Sequence, residues 1–244
     1  MKKIISVLAL TACTVSAAPY IGGGIGYSSM KANQNLKGKD NNVLGGDQQL
    51  PFDVKEKARL SHVTLGLLAG WNFKLTPKMN LLLEADLEIG SKKTTKKNIN
   101  PVPNVAPAEK YLDNLEISVS KKHGFGFMPA VEFNVTDKFA ALFGLRLNMT
   151  QYRVTVNDNG VGVAPHNAAS KKAYVFGWEP TLGGKFAFNE KLSARLTVGY
   201  NIGQKKTIHS NFVNEPNAAA DNASAGISVK PRGVNVRAAM IYSF

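Results

Sequence analysis

Four histidines, His62, His123, His166 and His209, have the widest chemical repertoire in this chain, and they fall on four separate segments. None has a second histidine or an acid at a spacing that would put two ligands on one metal ion. His62 follows Ser61 and His209 precedes Ser210, so each sets a base beside a hydroxyl. A polar position near the end of a strand is the plainer reading of both. The run Gly22-Gly23-Gly24-Ile25-Gly26 has the glycine density of a dinucleotide-binding turn, but no helical pattern follows to bring an N-terminus to a pyrophosphate. One cysteine, Cys13, cannot make an internal disulfide or a thiolate metal cage. These residues nominate no catalytic, metal or cofactor site.

Charge is the second chemical signal. The chain carries 30 basic against 17 acidic residues, a net +13, which suits nucleic acid, an anionic membrane surface or an acidic polymer as partner. The bases recur as doublets, Lys92-Lys93, Lys121-Lys122, Lys171-Lys172 and Lys205-Lys206, with Lys57, Arg59, Lys230 and Arg232 nearby. A basic start at Lys2-Lys3, an apolar Ile4 to Leu10 and the small residues of Val15-Ser16-Ala17 form a secretory signal peptide pattern, with the cut expected after Ala17. Leu10-Thr11-Ala12-Cys13 is a competing lipoprotein processing box. Residues 18–244 then carry 28 basic against 17 acidic residues. Export argues against nucleic acid. Beyond residue 17 no apolar run approaches the ~18 residues of a transmembrane helix, so a membrane crossing must be made by strands.

The elements that hold these residues alternate with a period of two. From Val234 to Phe244 every even position (Val234, Val236, Ala238, Met240, Tyr242, Phe244) is apolar, while the odd positions include Asn235, Arg237 and Ser243. That is a strand with two unlike faces. Seven earlier segments repeat it: 20–27, 62–73, 81–90, 124–133, 139–150, 174–188 and 192–202. The connections alternate between long polar stretches (about 31–59, 91–118, 157–172 and 204–231) and short turns at Thr76-Pro77-Lys78, Val135 to Lys138 and Asn189 to Lys191. Eight strands with alternating long and short connections predict an antiparallel up-and-down transmembrane barrel with four long external loops and three short periplasmic turns. Pro129 and Pro180 fall mid-strand, where a missing ladder donor predicts local bulges. The long stretches are rich in Asn, Gly, Ala and Lys with few aromatics and are expected to be mobile loops.

The closing pattern and the strand count resemble the eight-stranded outer-membrane β-barrels, the superfamily of the outer membrane protein A transmembrane domain and the opacity-type surface proteins. The resemblance implies that Met240, Tyr242 and Phe244 form the signal read by the barrel-insertion machinery, and that the apolar faces meet lipid. The minor faces then point inward. They bring Glu84, Asp86, Glu88, Glu132 and Glu179 together with Arg146, Lys185, Arg195 and Arg237, five acids against four bases. An eight-stranded barrel has room only for side chains, and charges so enclosed must pair. The lumen is therefore expected to be plugged by a salt-bridge network. The lysine doublets are placed on the outer rim, facing lipopolysaccharide phosphates or other anionic groups.

The resulting expectation is an outer-membrane surface protein, exported through a cleaved signal peptide, with a structural, adhesive or surface-antigen role and no enzymatic activity. Its partners would be outer-membrane lipid, the insertion machinery and an extracellular or host ligand at the loops. A narrow porin and a lipid-modifying enzyme using His62 or His209 at the rim are the alternatives.

Overall fold

The computed structural model describes residues 17–40, 50–90, 95–99, 115–158, 169–213 and 222–244. Apart from Ala17, the expected signal peptide lies outside the described residues, as does Cys13. The described residues form eleven strands in chain order: β1 (Ala17–Asp40), β2 (Leu50–Thr76), β3 (Met79–Gly90), β4 (Thr95–Ile99), β5 (Leu115–Asn134), β6 (Phe139–Asp158), β7 (Ala169–Ala187), β8 (Leu192–Gly203), β9 (Lys206–Val213), β10 (Asn222–Val229) and β11 (Pro231–Ser243). Eight of them, β1, β2, β3, β5, β6, β7, β8 and β11, pair antiparallel in that order. The ring is closed by β11 running back along β1, from Tyr20 opposite Ser243 to Ala32 opposite Pro231. The chain is thus a closed eight-stranded antiparallel barrel. The remaining three strands belong to the long connections.

Alternation assigns the two faces as the sequence predicts. Ile25, Leu65, Leu67, Phe143 and Leu182 are exposed on the outside, while Leu82, Glu84, Leu142, Glu179 and Thr197 are buried within. Exposed apolar side chains in this density are what a lipid-facing wall requires. Edge-on aromatic pairs Phe133–Phe143, Phe186–Phe188 and Tyr242–Phe244 mark the short-turn end. His123 packs beside Phe125 and Tyr174 at the other. All three short turns share one device. The side-chain oxygen of Thr76, Thr136 or Asn189 accepts a backbone N–H two residues on, from Lys78, Lys138 and Lys191 respectively. Such a local acceptor takes over a donor that the ladder cannot satisfy where the chain reverses.

Three expectations are corrected. The long connections are not simply loops. β1 and β2 stay paired from the barrel wall up to Asp40 opposite Leu50. β5 and β6 stay paired to Leu115 opposite Asp158. β9 and β10 form a further hairpin that joins β1 at Leu36 and Lys37. Beyond the apolar band neither face needs to be apolar, so the hydropathy period vanishes although the hydrogen-bond ladder continues.

The prolines make no bulge. Pro129 stays in register with Leu83 and Pro180 with Leu145. On the opposite side the ladder omits the proline and the residue before it. It then resumes unshifted, from Phe127–Leu147 to Ala130–Gly144 and from Trp178–Ile202 to Thr181–Gly199. A residue without an N–H loses bonds to one neighbour only, and the second neighbour holds its register.

A bulge lies instead in β5. Between Lys121 opposite Tyr152 and Gly124 opposite Thr150 the register shifts, so β5 spends one residue more than β6. An extra residue reverses which alternate positions face inward. Lys121 is the consequence, taken up below.

The closing seam leaves no room for a side chain at several of its glycines, Gly24 among them. A Cβ on Gly24 would collide with the backbone oxygen of Ala238 and reach within 2.8 Å of Ala239 Cα, whereas one on the neighbouring, outward Gly23 would find its nearest atoms at 3.7 Å. Gly24→Ala is therefore expected to destabilise the barrel by about 1–3 kcal/mol and Gly23→Ala to leave it unchanged. Urea midpoints in detergent micelles check both.

Candidate functional site

The chemistry of this protein is concentrated in the lumen, and the inward charges are delivered by six wall strands, β3, β5, β6, β7, β8 and β11. Near the short turns, Glu132 on β5 is fully buried. Its Oε1 accepts from Asn80 at 3.1 Å and pairs with Lys185 on β7 at 2.5 Å. One level up, Glu84 on β3 accepts both from the Tyr20 hydroxyl at 2.9 Å and from Arg195 Nη2, at 2.8 and 2.7 Å to its two oxygens. An apolar layer of Tyr20, Leu82, Met128, Ala130, Leu142 and Ile241 surrounds this level.

The centre is a shared network rather than a set of pairs. Arg146 on β6 grips Asp86 with Nε at 2.8 Å and with Nη2, lies 3.4 Å from Glu88 and 3.8 Å from Glu179. Arg237 on β11 reaches Glu88 at 2.5 Å through Nε and engages both oxygens of Glu179, Nη2 at 3.1 Å. Glu179 Oε2 also accepts from Asn235 at 2.6 Å. Planar guanidinium forks suit this arrangement because each presents several donors in fixed directions.

Space for these groups comes from glycine. A Cβ on Gly126 would overlap Asp86 and Arg146, and one on Gly199 would overlap Glu179. The cavity remaining among them is about 50 Å³.

Lys121 was assigned above to the basic rim, and the structure corrects that. It is 4% exposed, and its Nζ lies 2.9 Å from Glu88 Oε2 inside the lumen. The β5 bulge turns it inward against the parity of the rest of the strand. With Lys121 the inward set becomes five acids and five bases. The imbalance of one base in the sequence reading was the signal that a partner had been missed. Above this level the lumen becomes less charged. Asn148 donates to Asn201 at 2.9 Å, and Met30 Sδ accepts from Tyr152 and Asn201 at 3.8 and 3.5 Å. Tyr152, Met30 and Val119 are all fully buried there.

The other rim lysines divide. Lys171, Lys172, Lys205 and Lys206 are exposed and Lys122 is half-buried, while Lys92 and Lys93 lie outside the described residues. Met240, Tyr242 and Phe244 are exposed on the outer face of β11 and beyond it, and the Phe244 N–H donates to Pro19 O at 3.1 Å.

Among the described residues the histidines do not assemble a site. His62 is 5% exposed and its Nε2 has no hydrogen-bond partner. Ser61 is the adjacent residue of the same strand and so belongs to the opposite face. His123 Nε2 lies 3.3 Å from the Tyr174 hydroxyl on the outside. His209 and Ser210 are in β9, and His166 lies outside the described residues. Among the described residues no three His, Cys, Asp or Glu side chains converge as a metal ligand set.

Residues 5–230 match the family described as outer membrane protein beta-barrel domain. Among solved structures the chain is similar to Ail, the attachment invasion locus protein of Yersinia pestis, at 7% identity over 88% of this chain and 97% of that one, with a TM-score of 0.34. It is similar to Neisserial surface protein A at 12% identity over 91% and 98%, TM-score 0.36. It is also similar to the outer membrane protease OmpT of Escherichia coli at 10% identity over 95% and 99%, TM-score 0.44. No curated protein sequence matches the chain.

A buried lysine paired with a buried carboxylate and a solvated surface lysine respond differently to truncation. Lys121→Ala strands Glu88 with one counter-charge fewer and is expected to lower the unfolding free energy by about 3 kcal/mol. Lys172→Ala is expected to change it by about 0.5 kcal/mol or less. Equilibrium unfolding followed by tryptophan fluorescence compares the two.

Proposed function

This chain belongs to the outer membrane protein beta-barrel domain family, and from that premise we propose that it is a non-enzymatic surface barrel whose lumen is plugged by its own ion-pair network. The observation that carries the plug is the balance of the interior. Five carboxylates and five bases share hydrogen bonds across six of the eight wall strands, around a space of about 50 Å³. Opening it would separate buried charges, each of which loses several kcal/mol of solvation that only its partners replace. Buried layers above and below the network, Tyr152 with Met30 and Leu142 with Leu82, support the same reading.

The surface role rests on the hairpins. β1–β2 and β5–β6 rise well past the aromatic residues of the outer wall, and this gives them reach beyond the lipid headgroups. A structural or adhesive role, with an extracellular or host ligand bound by these hairpins, follows from that reach. Absence of enzymatic activity is part of the proposal, because Ser61 and His62 occupy opposite faces of β2 and have no common site. Export through a signal peptide cut after Ala17, and recognition of Met240, Tyr242 and Phe244 by the insertion machinery, complete the reading.

In planar bilayers the purified barrel is expected to remain closed; large, stable open steps would refute the plug and favour the narrow porin. Deleting Phe244 is expected to leave export to the periplasm intact and to impair insertion, seen as loss of the heat-modifiable folded form from outer-membrane fractions.

A further inference from the structure

The short-turn end of the barrel carries a charged feature that neither the plug nor the hairpin side uses. Each short turn ends in a lysine, Lys78, Lys138 or Lys191, one residue before β3, β6 and β8 begin. The backbone of each lysine is held at both its polar groups. Its N–H donates to the side-chain oxygen of Thr76, Thr136 or Asn189. Its carbonyl accepts from the backbone N–H of Asn134, Ala187 or Ser243 on the neighbouring strand, at 2.9, 2.8 and 2.8 Å. The ladder therefore runs one rung past the strands and takes in all three lysines. Two residues on, Asn80, Ala140 and Ser193 are buried in the lumen, so the lysines have the inward parity. Being exposed, they border the mouth of the lumen rather than fill it. Lys74 of β2, opposite Asn80, is exposed on the same side.

Just inside this mouth Lys185 is already paired, at 2.5 Å to Glu132. Among the described residues Lys74, Lys78, Lys138 and Lys191 have no ion-pair partner. The turns also hold Asp137 and Glu190, both exposed, so four lysines stand against two acids and these groups keep a net positive charge. Lys74 and Lys78 belong to adjacent strands, while Lys78, Lys138 and Lys191 follow one another around the ring at intervals of two strands. At ~4.8 Å per strand each interval is about 10 Å, comparable with the Debye length at physiological salt, so the potentials overlap at the mouth. We infer that this ring of lysines is a docking site for an acidic peptide segment of a periplasmic partner. It rests on the reading that the short turns face the periplasm. Three features select that occupant. Inward parity turns the lysines from the lipid wall toward the mouth, away from membrane headgroups. Intervals of about 10 Å suit a row of carboxylates better than one small anion, and an extended chain at ~3.3 Å per residue covers each interval in three residues. The ion-pair network above the mouth stops a ligand from entering, so the partner caps the ring from outside. Because the lysine backbones are already fixed, binding orders side chains only.

Fluorescence anisotropy with the folded full-length barrel in detergent micelles tests this. The probes are a labelled peptide with glutamate at every third position, its glutamine counterpart and inorganic phosphate. The glutamate peptide is expected to bind, more weakly as salt rises, and the glutamine peptide is not. Lys78→Gln, Lys138→Gln and Lys191→Gln together are expected to weaken binding about tenfold, at roughly twofold per exposed ion pair. Lys78→Arg, Lys138→Arg and Lys191→Arg together are expected to preserve it, and Lys171→Gln, Lys172→Gln and Lys205→Gln on the hairpin side to leave it unchanged. Equal affinity in the turn-glutamine triple overturns the site, and so does an equal loss in the hairpin-side triple or equal binding of the glutamine peptide. Phosphate that displaces the peptide at matched concentration makes this a small-anion site and overturns the peptide. Heat-modifiable gel migration identifies any variant that has not folded, and the arms with unaltered protein decide without it. Orientation is read separately, with a membrane-impermeant thiol label on Lys138→Cys. Labelling is expected only after the outer membrane is permeabilised; labelling of intact cells overturns the periplasmic partner even where the peptide binds. Conductance checks the plug, so each reading can fail alone.

Discussion

Inside hydrocarbon a backbone N–H or C=O has no solvent to bond, so a chain that crosses with strands must pair every edge. Everything else in this molecule follows from the way β11 meets that demand by lying along β1 through thirteen consecutive partners, from Tyr20 with Ser243 to Ala32 with Pro231. Closure at eight strands determines the diameter, and the diameter leaves an interior that side chains alone can fill. The glycines of the seam are part of the same constraint. At Gly24 the backbone of β11 occupies the volume that any side chain would need.

A narrow interior turns charge into geometry. A carboxylate buried there has lost solvating water, so its counter-charge arrives from another strand at hydrogen-bonding distance. The wall meets this with forks: Arg146 spans Asp86, Glu88 and Glu179, and Arg237 spans Glu88 and Glu179. Because each guanidinium serves several acids, the acids are coupled to one another, and the network ties together strands that are not neighbours in the ring. The outer face obeys the opposite rule. There apolar side chains face lipid, and cations gather only where the apolar band ends. The same alternation of side chains that sends Arg237 inward sends Arg232, five residues earlier, outward to that edge.

Much of this was legible along the chain, and the exceptions have identifiable causes. The eight wall strands and their faces follow from a period of two, because every wall residue meets either lipid or the lumen. Nine of the ten inward charges follow from the same parity. Lys121 did not, because one inserted residue between it and Gly124 reverses the parity, and nothing in the composition of Lys121-Lys122-His123 marks that insertion. Pro129 and Pro180 misled in the other direction. A missing donor suggested a bulge, but each proline has a second neighbouring strand, and that strand keeps the register. The hairpin extensions were read as loops because strands that have left the membrane, such as Lys31 to Asp40 of β1, no longer need an apolar face.

The amino-acid sequence by itself determined which residues face lipid and which face the lumen, how many strands cross, and that the interior would hold acids and bases in near balance. Each of these depends on local alternation, which the covalent chain carries. Only the tertiary structure decided which acid meets which base, that Lys121 completes the set, and that Lys78, Lys138 and Lys191 join the ladder one rung beyond their strands. These depend on register between strands as distant in sequence as β1 and β11. Register is set by closure of the whole ring and by the position of the β5 bulge, neither of which any one segment encodes.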